Sequence, residues 1–402
     1  MIFVIATILA LFFLLSLKKP AVSYGIILAV LPTYLLRLKI LNIPTTILEL
    51  LIGVFLLGVL LTHWNKQSWN KISSLKETNW VIGAFLLAAG LSSFFSPEPI
   101  KALGQLKAFF VEPVLLFYAA LVVFKTKSEL DTPLKWLFGA AFLISLFGLV
   151  QYMTHLMLPL RFWGYGLEMK RITSIFEYPN ALALYLAPLI AFFSILVLKG
   201  VKLAGKYSTL IMFIVMALAL ILTYSRGAWL SIVVAAIVLA IQQSSRFSIK
   251  KWGIAAAVIL LIASPLLFTR VKSTFRDGSS SERLELYKVA GQKIIESPIL
   301  GNGLYGFRTT LENSDYSGEV LNYPHNIILN FWLETGLIGV LSFFLLFFLA
   351  MSRYKKSSSA LKVAAAFYLL TMVTHGMVDA PYFKNDLSVL FWFVLSIFYI
   401  EE

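Results

Sequence analysis

Apolar residues along this chain gather into long runs separated by short polar connections. A helix needs about 20 mostly apolar residues to cross a bilayer. Candidate spans of that kind lie near 2–17, 21–36, 44–63, 80–95, 106–124, 134–157, 180–198, 207–223, 227–242, 252–268, 326–350, 361–380 and 386–400. The pattern predicts an all-α polytopic membrane protein with about 13 transmembrane helices. The range is 12–14, because several runs are short or broken by proline. The first run has no basic residue before it and no small-residue cleavage site, while Lys18 and Lys19 follow it, so it reads as a retained helix rather than a cleaved signal peptide.

Residues 269–325 form the one sizeable polar insertion. The expected organisation is therefore transmembrane helices over 1–268, a large outer loop over 269–325, and C-terminal transmembrane helices over 326–402. Within the loop, Ser279 with Glu282 fits a capping box, predicting a helix over about 280–296. Leu284, Tyr287, Ala290 and Ile294 recur at helical spacing and give it an apolar face, with Leu286 and Ile295 placed to widen it. Ser297-Pro298 ends the helix and Gly301-Asn302-Gly303 makes a turn.

Composition agrees with this pattern. Charged residues are 13% of the chain, about half the usual share for a soluble domain, and mean hydropathy is +0.84. The net charge of +14 is that of basic membrane-flanking loops rather than of a nucleic-acid binder. Eighteen lysines and arginines fall on one set of connections and nine on the opposite short ones. The basic set marks the cytoplasm, which puts the long loop outside, the C-terminus inside and the N-terminus outside. The chain has no cysteine, so thiol catalysis and Cys-ligated metals are excluded.

Familiar catalytic motifs are missing. There is no Gly-x-Ser-x-Gly elbow, no phosphate-binding P-loop, no metal-ligand cluster and no outer Asp-x-Asp pair. The run Gly301-Asn302-Gly303-Leu304-Tyr305-Gly306 matches a dinucleotide pattern but follows a helix, outside any βαβ unit, and is read as a turn.

What remains is a set of polar residues at the outer membrane boundary. Arg226, in Tyr224-Ser225-Arg226-Gly227, falls where one span ends and the next begins. It fits an anion clamp or an arginine snorkelling to the headgroups. Arg283 in the loop helix and Arg171 before Pro179-Asn180 fit a phosphate grip or solvated surface positions. His325 at the head of the span 326–350 is a candidate general base or a structural interfacial histidine. Asn326, Asn330 and Glu334 are four apart on one helix face, and Glu334 should lie about 13 Å deeper than His325 at the usual helical rise. An acid at that depth is functional or paired, with a neighbouring arginine as the bland partner. Gly336 and Gly339 are expected to permit close helix contact. His375 and Asp379, also four apart, read as a structural hydrogen-bonded pair.

Together these residues resemble the O-antigen ligase and polymerase superfamily, the Wzy-C type membrane glycosyltransferases. The likeness rests on Thr223-Tyr224-Ser225-Arg226-Gly227-Ala228, on Ser281-Glu282-Arg283 leading to Ser297-Pro298-Ile299-Leu300-Gly301-Asn302-Gly303, and on His325-Asn326-Ile327-Ile328-Leu329 continuing through Glu334-Thr335-Gly336-Leu337-Ile338-Gly339. Thr173-Ser174-Ile175-Phe176 with Tyr178-Pro179-Asn180-Ala181 adds a fourth stretch. The resemblance implies a GT-C type, inverting, metal-independent enzyme of the bacterial cytoplasmic (inner) membrane, working at its outer, periplasmic face without a cofactor. It would move a glycan from undecaprenyl pyrophosphate to a hydroxyl. Lipid A-core is the favoured acceptor, and a second lipid-linked repeat is the acceptor if the protein is a polymerase. By the same likeness Arg226 and Arg283 hold the pyrophosphate and His325 serves the acceptor, with Arg171, Asn326, Glu334 and Tyr224 as substrate-binding candidates. Two rival classes stay open: a transporter or flippase of an anionic lipid or solute, and a structural membrane subunit.

Overall fold

The computed structural model describes residues 2–40, 43–164, 169–242, 279–355 and 359–401. The expected span 252–268, the start of the polar segment at 269–272 and the capping side chain of Ser279 lie outside the described residues.

The chain is mostly helical, as the apolar runs require. Its first half comprises α1 (Ile2–Lys18), α2 (Pro20–Ala29), α3 (Ile47–Thr62), α4 (Lys66–Ser73), α5 (Lys76–Phe94), α6 (Pro99–Gln105), α7 (Glu112–Val123) and α8 (Asp131–Thr154). The second half comprises α9 (Pro179–Leu198), α10 (Lys206–Leu222), α11 (Arg226–Gln242), α12 (Ser279–Glu296), α13 (Gly306–Glu312), α14 (Ile327–Lys355), α15 (Ala360–Gly376) and α16 (Asn385–Ser396). Among the described residues four helices are long and apolar enough to cross a membrane: Pro99–Val123, Lys127–Thr154, Pro179–Leu198 and Ile327–Tyr354. A fifth arises if α3 and α4 are one span bent by 113°, and six further apolar helices have 10–17 residues. Helix length therefore assigns four or five spans, not the thirteen expected from the apolar runs.

Interruptions explain part of the difference. The run 21–36 is not one helix, because Pro32 has no N–H to donate and its ring clashes with the preceding turn. Accordingly α2 stops at Ala29 and a short 3-10 turn covers Leu31–Leu35. The all-α expectation also misses a small antiparallel hairpin, β1 (Arg37–Ile40) with β2 (Ile43–Thr46). It feeds α3 through a capping box: Glu49 N donates to Thr46 Oγ1 and Thr46 N donates to Glu49 Oε2, each at 3.2 Å. The last run ends early, with α16 closing at Ser396 and three tight turns covering residues 397–399.

The core runs through the bundle. α9 packs along α15, α5 along α14, α11 along α15 and α7 along α16. At one end Lys127 N donates to Glu401 O (3.0 Å) and Lys71 Nζ to Phe124 O (3.5 Å), while Arg353 lies over the Tyr399 ring. The opposite end carries the polar segment. There α12 and α13 form a second, small core with the outer half of α14, built from Leu286, Ala290, Ile294, Phe307, Leu311 and Leu333. The buried face of α12 is thus rotated from the expected one. Leu284 is 68% and Ile295 80% exposed, because α14 meets the Leu286–Ala290–Ile294 stripe instead.

α14 is broken at Gly336, whose φ of 67° and ψ of −173° are non-helical. Residues 298–302 fill the break. Leu337 N donates to Ile299 O (3.1 Å), Asn302 N to Leu333 O (2.6 Å) and the Trp332 indole to Pro298 O (2.7 Å). A side chain at Gly336 would run into the Ile299 carbonyl. Its partner is therefore the crossing outer segment, not a neighbouring helix as expected. A side chain at Gly339 would first meet Thr335 of its own helix.

Candidate active site

Four segments meet at the end of the bundle that carries α12 and α13. They are the corner between α10 and α11, the first turns of α12, the approach to α14, and the connection after α15. Each brings one of the residues singled out by the sequence, or a neighbour of it.

His325 is the centre. Its backbone is left-handed, with φ 53°, a conformation uncommon for a residue with a side chain and held by surrounding structure. Its Nδ1 lies 2.8 Å from Asp379 Oδ1. The imidazole is 25% exposed and the carboxylate 4%, so the acid is sealed behind the ring while part of the ring stays accessible. This corrects the expected His375–Asp379 pair: Asp379 lies beyond the end of α15 and turns to His325, while His375 Nδ1 is buried without a hydrogen-bond partner. Burial opposes ionisation of Asp379, but the two imidazoles and the Ala380 N–H outweigh it and hold the carboxyl below the usual carboxylate range. An ionised Asp379 accepts the Nδ1 proton, which leaves His325 Nε2 as a proton acceptor.

The loop helix is tied to the same point. Tyr287 OH donates to His325 O (3.1 Å) and reaches Met377 O (3.5 Å). Burial raises the Tyr287 pKa, opposed by the nearby Arg283 charge. Arg283, one turn before Tyr287 on α12, also acts electrostatically on His375. On the other side a Cβ at Gly227 would come within 2.9 Å of Val378 and 3.4 Å of the His375 ring. The small residue lets the start of α11, and with it Arg226, lie flush against the connection after α15. Gly227, the residue after Arg226, thus lies against His375 and Val378, next to the Asp379–His325 pair.

The remaining candidates support this arrangement from behind. Arg171 donates through Nε to Thr223 O and through Nη2 to Asn180 Oδ1, both at 2.9 Å, strapping 171–180 to the α10–α11 corner. Tyr224 is a buried corner residue with φ 50°, its ring against Trp229. Asn326 caps α14, its Oδ1 accepting from Ile328 N (3.0 Å) and Leu329 N (3.1 Å), and its Nδ2 donates to Met377 O (3.1 Å). Glu334 is fully buried, and its Oε2 accepts from Tyr305 N at 2.6 Å. The expected arginine partner is replaced by the backbone at the start of α13, and the Ser92 hydroxyl holds the Glu334 carbonyl. The glycine-rich turn is confirmed in shape: Gly301 and Gly303 have φ of 74° and 86°, and the turn runs onto α14.

Two residues of this region were given no site role by the sequence reading. Asp379 was noted but given the wrong partner. Lys384, just before α16, lies 4.5 Å from the Tyr178 ring centre. Burial disfavours its charge, but Tyr178, Asp386 and Asp379 together raise its pKa. The one sequence signal was the crowding of Asp379, Lys384 and Asp386 between two apolar runs. Among the described residues no group of three or more His, Asp and Glu could hold a metal ion.

Apolar helices of this kind, with charged residues at the two ends of the bundle, define a helical protein of the multi-pass membrane class. Residues 211–344 match the family model described as O-antigen ligase. That segment holds the α10–α11 corner, Arg226, Arg283, His325 and Glu334. A Rickettsia conorii protein, provisionally named polysaccharide ligase, is 30% identical over 126 residues, which are 28% of this chain and 31% of the relative. The chain thus matches less than a third of that relative's length. Both findings support the resemblance to the O-antigen ligase family seen in the sequence.

Proposed function

We propose that this protein transfers a glycan from an undecaprenyl pyrophosphate-linked donor to a hydroxyl acceptor, at the outer face of the bacterial cytoplasmic membrane. The observation that carries the reading is the His325–Asp379 dyad beside the corner of Arg226 and the helix of Arg283. His325 Nε2 takes the proton of the acceptor hydroxyl as its oxygen attacks the anomeric carbon. The bond from that carbon to the phosphate oxygen breaks, and undecaprenyl pyrophosphate leaves with the electron pair. Attack opposite the leaving group inverts the anomeric centre. Arg226 and Arg283 meet the charge that builds on the pyrophosphate, and two permanent cations suffice for this in a site of low dielectric. Asp379 holds the ring and stabilises the imidazolium that forms. Arg171, Tyr224, Asn326 and Glu334 hold the four segments in register. The reading is that of a ligase with lipid A-core as acceptor, the polymerase differing only in acceptor.

The membrane arrangement follows the same reading. Among the described residues the four long helices cross the membrane, the bent α3–α4 pair adds a fifth crossing, and the shorter apolar helices complete the bundle around them. The end with Lys71, Lys125 and Arg353 then faces the cytoplasm, and residues 269–325 form the outer segment.

The test is turnover by purified protein in lipid with an undecaprenyl pyrophosphate-linked oligosaccharide, offered either lipid A-core or a second lipid-linked repeat, with EDTA present. Product with released undecaprenyl pyrophosphate is expected, and lost in His325→Ala, Arg226→Ala and Arg283→Ala variants that remain folded. Full turnover by those variants would sink the mechanism. Bound donor without release from the unmodified protein points to transport instead.

A further inference from the structure

Outside the dyad, the outer segment holds a cavity of about 430 Å³ between one flank of α12, one face of α13 and Pro97. Val289, Gln292, Lys293 and Glu296 line it from α12 at helical spacing, and Thr309, Thr310, Asn313 and Ser314 line it from α13 and the residues after it. We infer that this cavity is a subsite for a neutral, hydroxyl-rich saccharide, a glycan segment of one of the two substrates. The inference rests on the glycan-transfer reading for its place in the reaction, and on the cavity's own chemistry for its ligand.

The lining excludes the other parts of such substrates. Its one cation, Lys293, is paired with Glu296 at 2.7 Å, so no uncompensated positive charge waits for a pyrophosphate. Apolar surface is supplied only by Val289, Pro97 and the stems of polar side chains, too little for an acyl chain. Amides and hydroxyls make up most of the rest, and each can both donate and accept, as sugar hydroxyls require.

Part of this lining is fixed and part is open. Asn302 Nδ2 donates to Thr310 Oγ1 (2.6 Å), Thr310 Oγ1 bonds Gly306 O (3.2 Å), and Ser314 Oγ bonds Leu311 O (2.9 Å). Gln292, Thr309 and Asn313 have no side-chain hydrogen bond among the described residues and border the cavity. These three side chains are the recognition groups. Gln292 lies about 8 Å further along α12 than Tyr287 and about 140° round the helix from it, so the cavity and the dyad to which Tyr287 is tied lie on two flanks of α12. A saccharide held here passes round α12 to reach the dyad.

The experiment uses the full chain in lipid nanodiscs with Gln292→Leu, and separately with Thr309→Val/Asn313→Leu. All three side chains reach the surface, and α13 keeps its core residues Phe307 and Leu311. Binding of a free oligosaccharide of the repeat, by saturation-transfer NMR, should weaken about tenfold in each variant, as loss of one or two hydrogen bonds implies. In turnover, KM for one substrate should rise about tenfold with kcat kept. A rise for the acceptor assigns the cavity to the acceptor glycan, and a rise for the donor assigns it to the donor glycan. Unchanged oligosaccharide binding in both variants overturns the subsite. An unmodified protein that binds the oligosaccharide but turns over neither acceptor overturns the transfer reading and leaves the subsite standing.

Discussion

The two ends of the bundle carry charge in opposite ways. At one end Lys66, Lys76, Lys125, Lys202 and Lys206 are exposed, and Lys135 meets Asp131 in an open pair at 3.8 Å. Such charges are hydrated, screened and individually worth little. At the other end exposed pairs such as Arg308–Glu312 and Lys293–Glu296 are joined by ionisable groups that are enclosed. Asp379 is sealed behind His325, Glu334 is fully buried under the Tyr305 amide, and Arg171 is committed to a carbonyl and an amide. Enclosed charge is costly unless partnered. The enclosed end is therefore organised by specific bonds, and the exposed end by solvent and lipid. A count of basic residues bears on how the chain is oriented, while partnered polar groups locate its candidate chemistry.

The comparison breaks first at His325. His325→Ala should lower glycan transfer about 10²- to 10⁴-fold, the usual worth of a general base, with the melting temperature retained. A small effect would make the enclosed end merely structural. Asp379→Asn should cost about 10²-fold in kcat with little change in KM, because the ring loses its tautomer and its charge partner. The same variant has a stability signature. A carboxyl whose folded pKa is depressed contributes stability that is full above its unfolded value of about 3.9 and is lost as pH falls below it. Thermal denaturation against pH should therefore show an acid limb below about pH 4 that is shallower in Asp379→Asn.

Arg283→Lys and Arg226→Lys keep the charge but lose the planar fork. Each should reduce kcat by roughly 10- to 100-fold, in line with about 1.5–3 kcal/mol for hydrogen bonds to charged groups. Gly336→Ala attacks the joint on which the outer segment rests. The left-handed φ and the Ile299 carbonyl together predict a loss of about 1–3 kcal/mol, read as a lower melting temperature and faster proteolysis within 297–306. The smallest effect belongs to the exposed end, where Lys202→Gln should leave transfer and melting unchanged, within about 0.5 kcal/mol.

Much of the site was legible as a set of residues, and little of it as a set of bonds. Arg226 and His325 stood out because charge and imidazole at the edge of apolar runs are rare. Their neighbours were misassigned because spacing within one helix speaks only of that helix. His375 and Asp379 share a spacing of four, yet the helix ends between them and the carboxylate crosses to another segment. Glu334 was read as a deep membrane acid, but the break in α14 places it beneath the α13 backbone. The buried stripe of α12 was misplaced by about one position for a like reason, since Leu284 and Leu286 are equally apolar and only the docking surface chooses between them.

Sequence by itself determined the helical, apolar character of the chain, the single long polar segment, the helix at its centre and the turn that follows. These depend on hydrophobic runs, proline and glycine, whose effects act over a few residues. Tertiary structure alone decided that the crossing at Gly336 replaces a helix contact, that Asp379 belongs to His325, and that Lys384 stands behind them. Each of these joins residues distant along the chain. A hydrogen bond of that kind leaves no periodicity behind, because its direction is set by how the helices pack and not by the order in which they are strung.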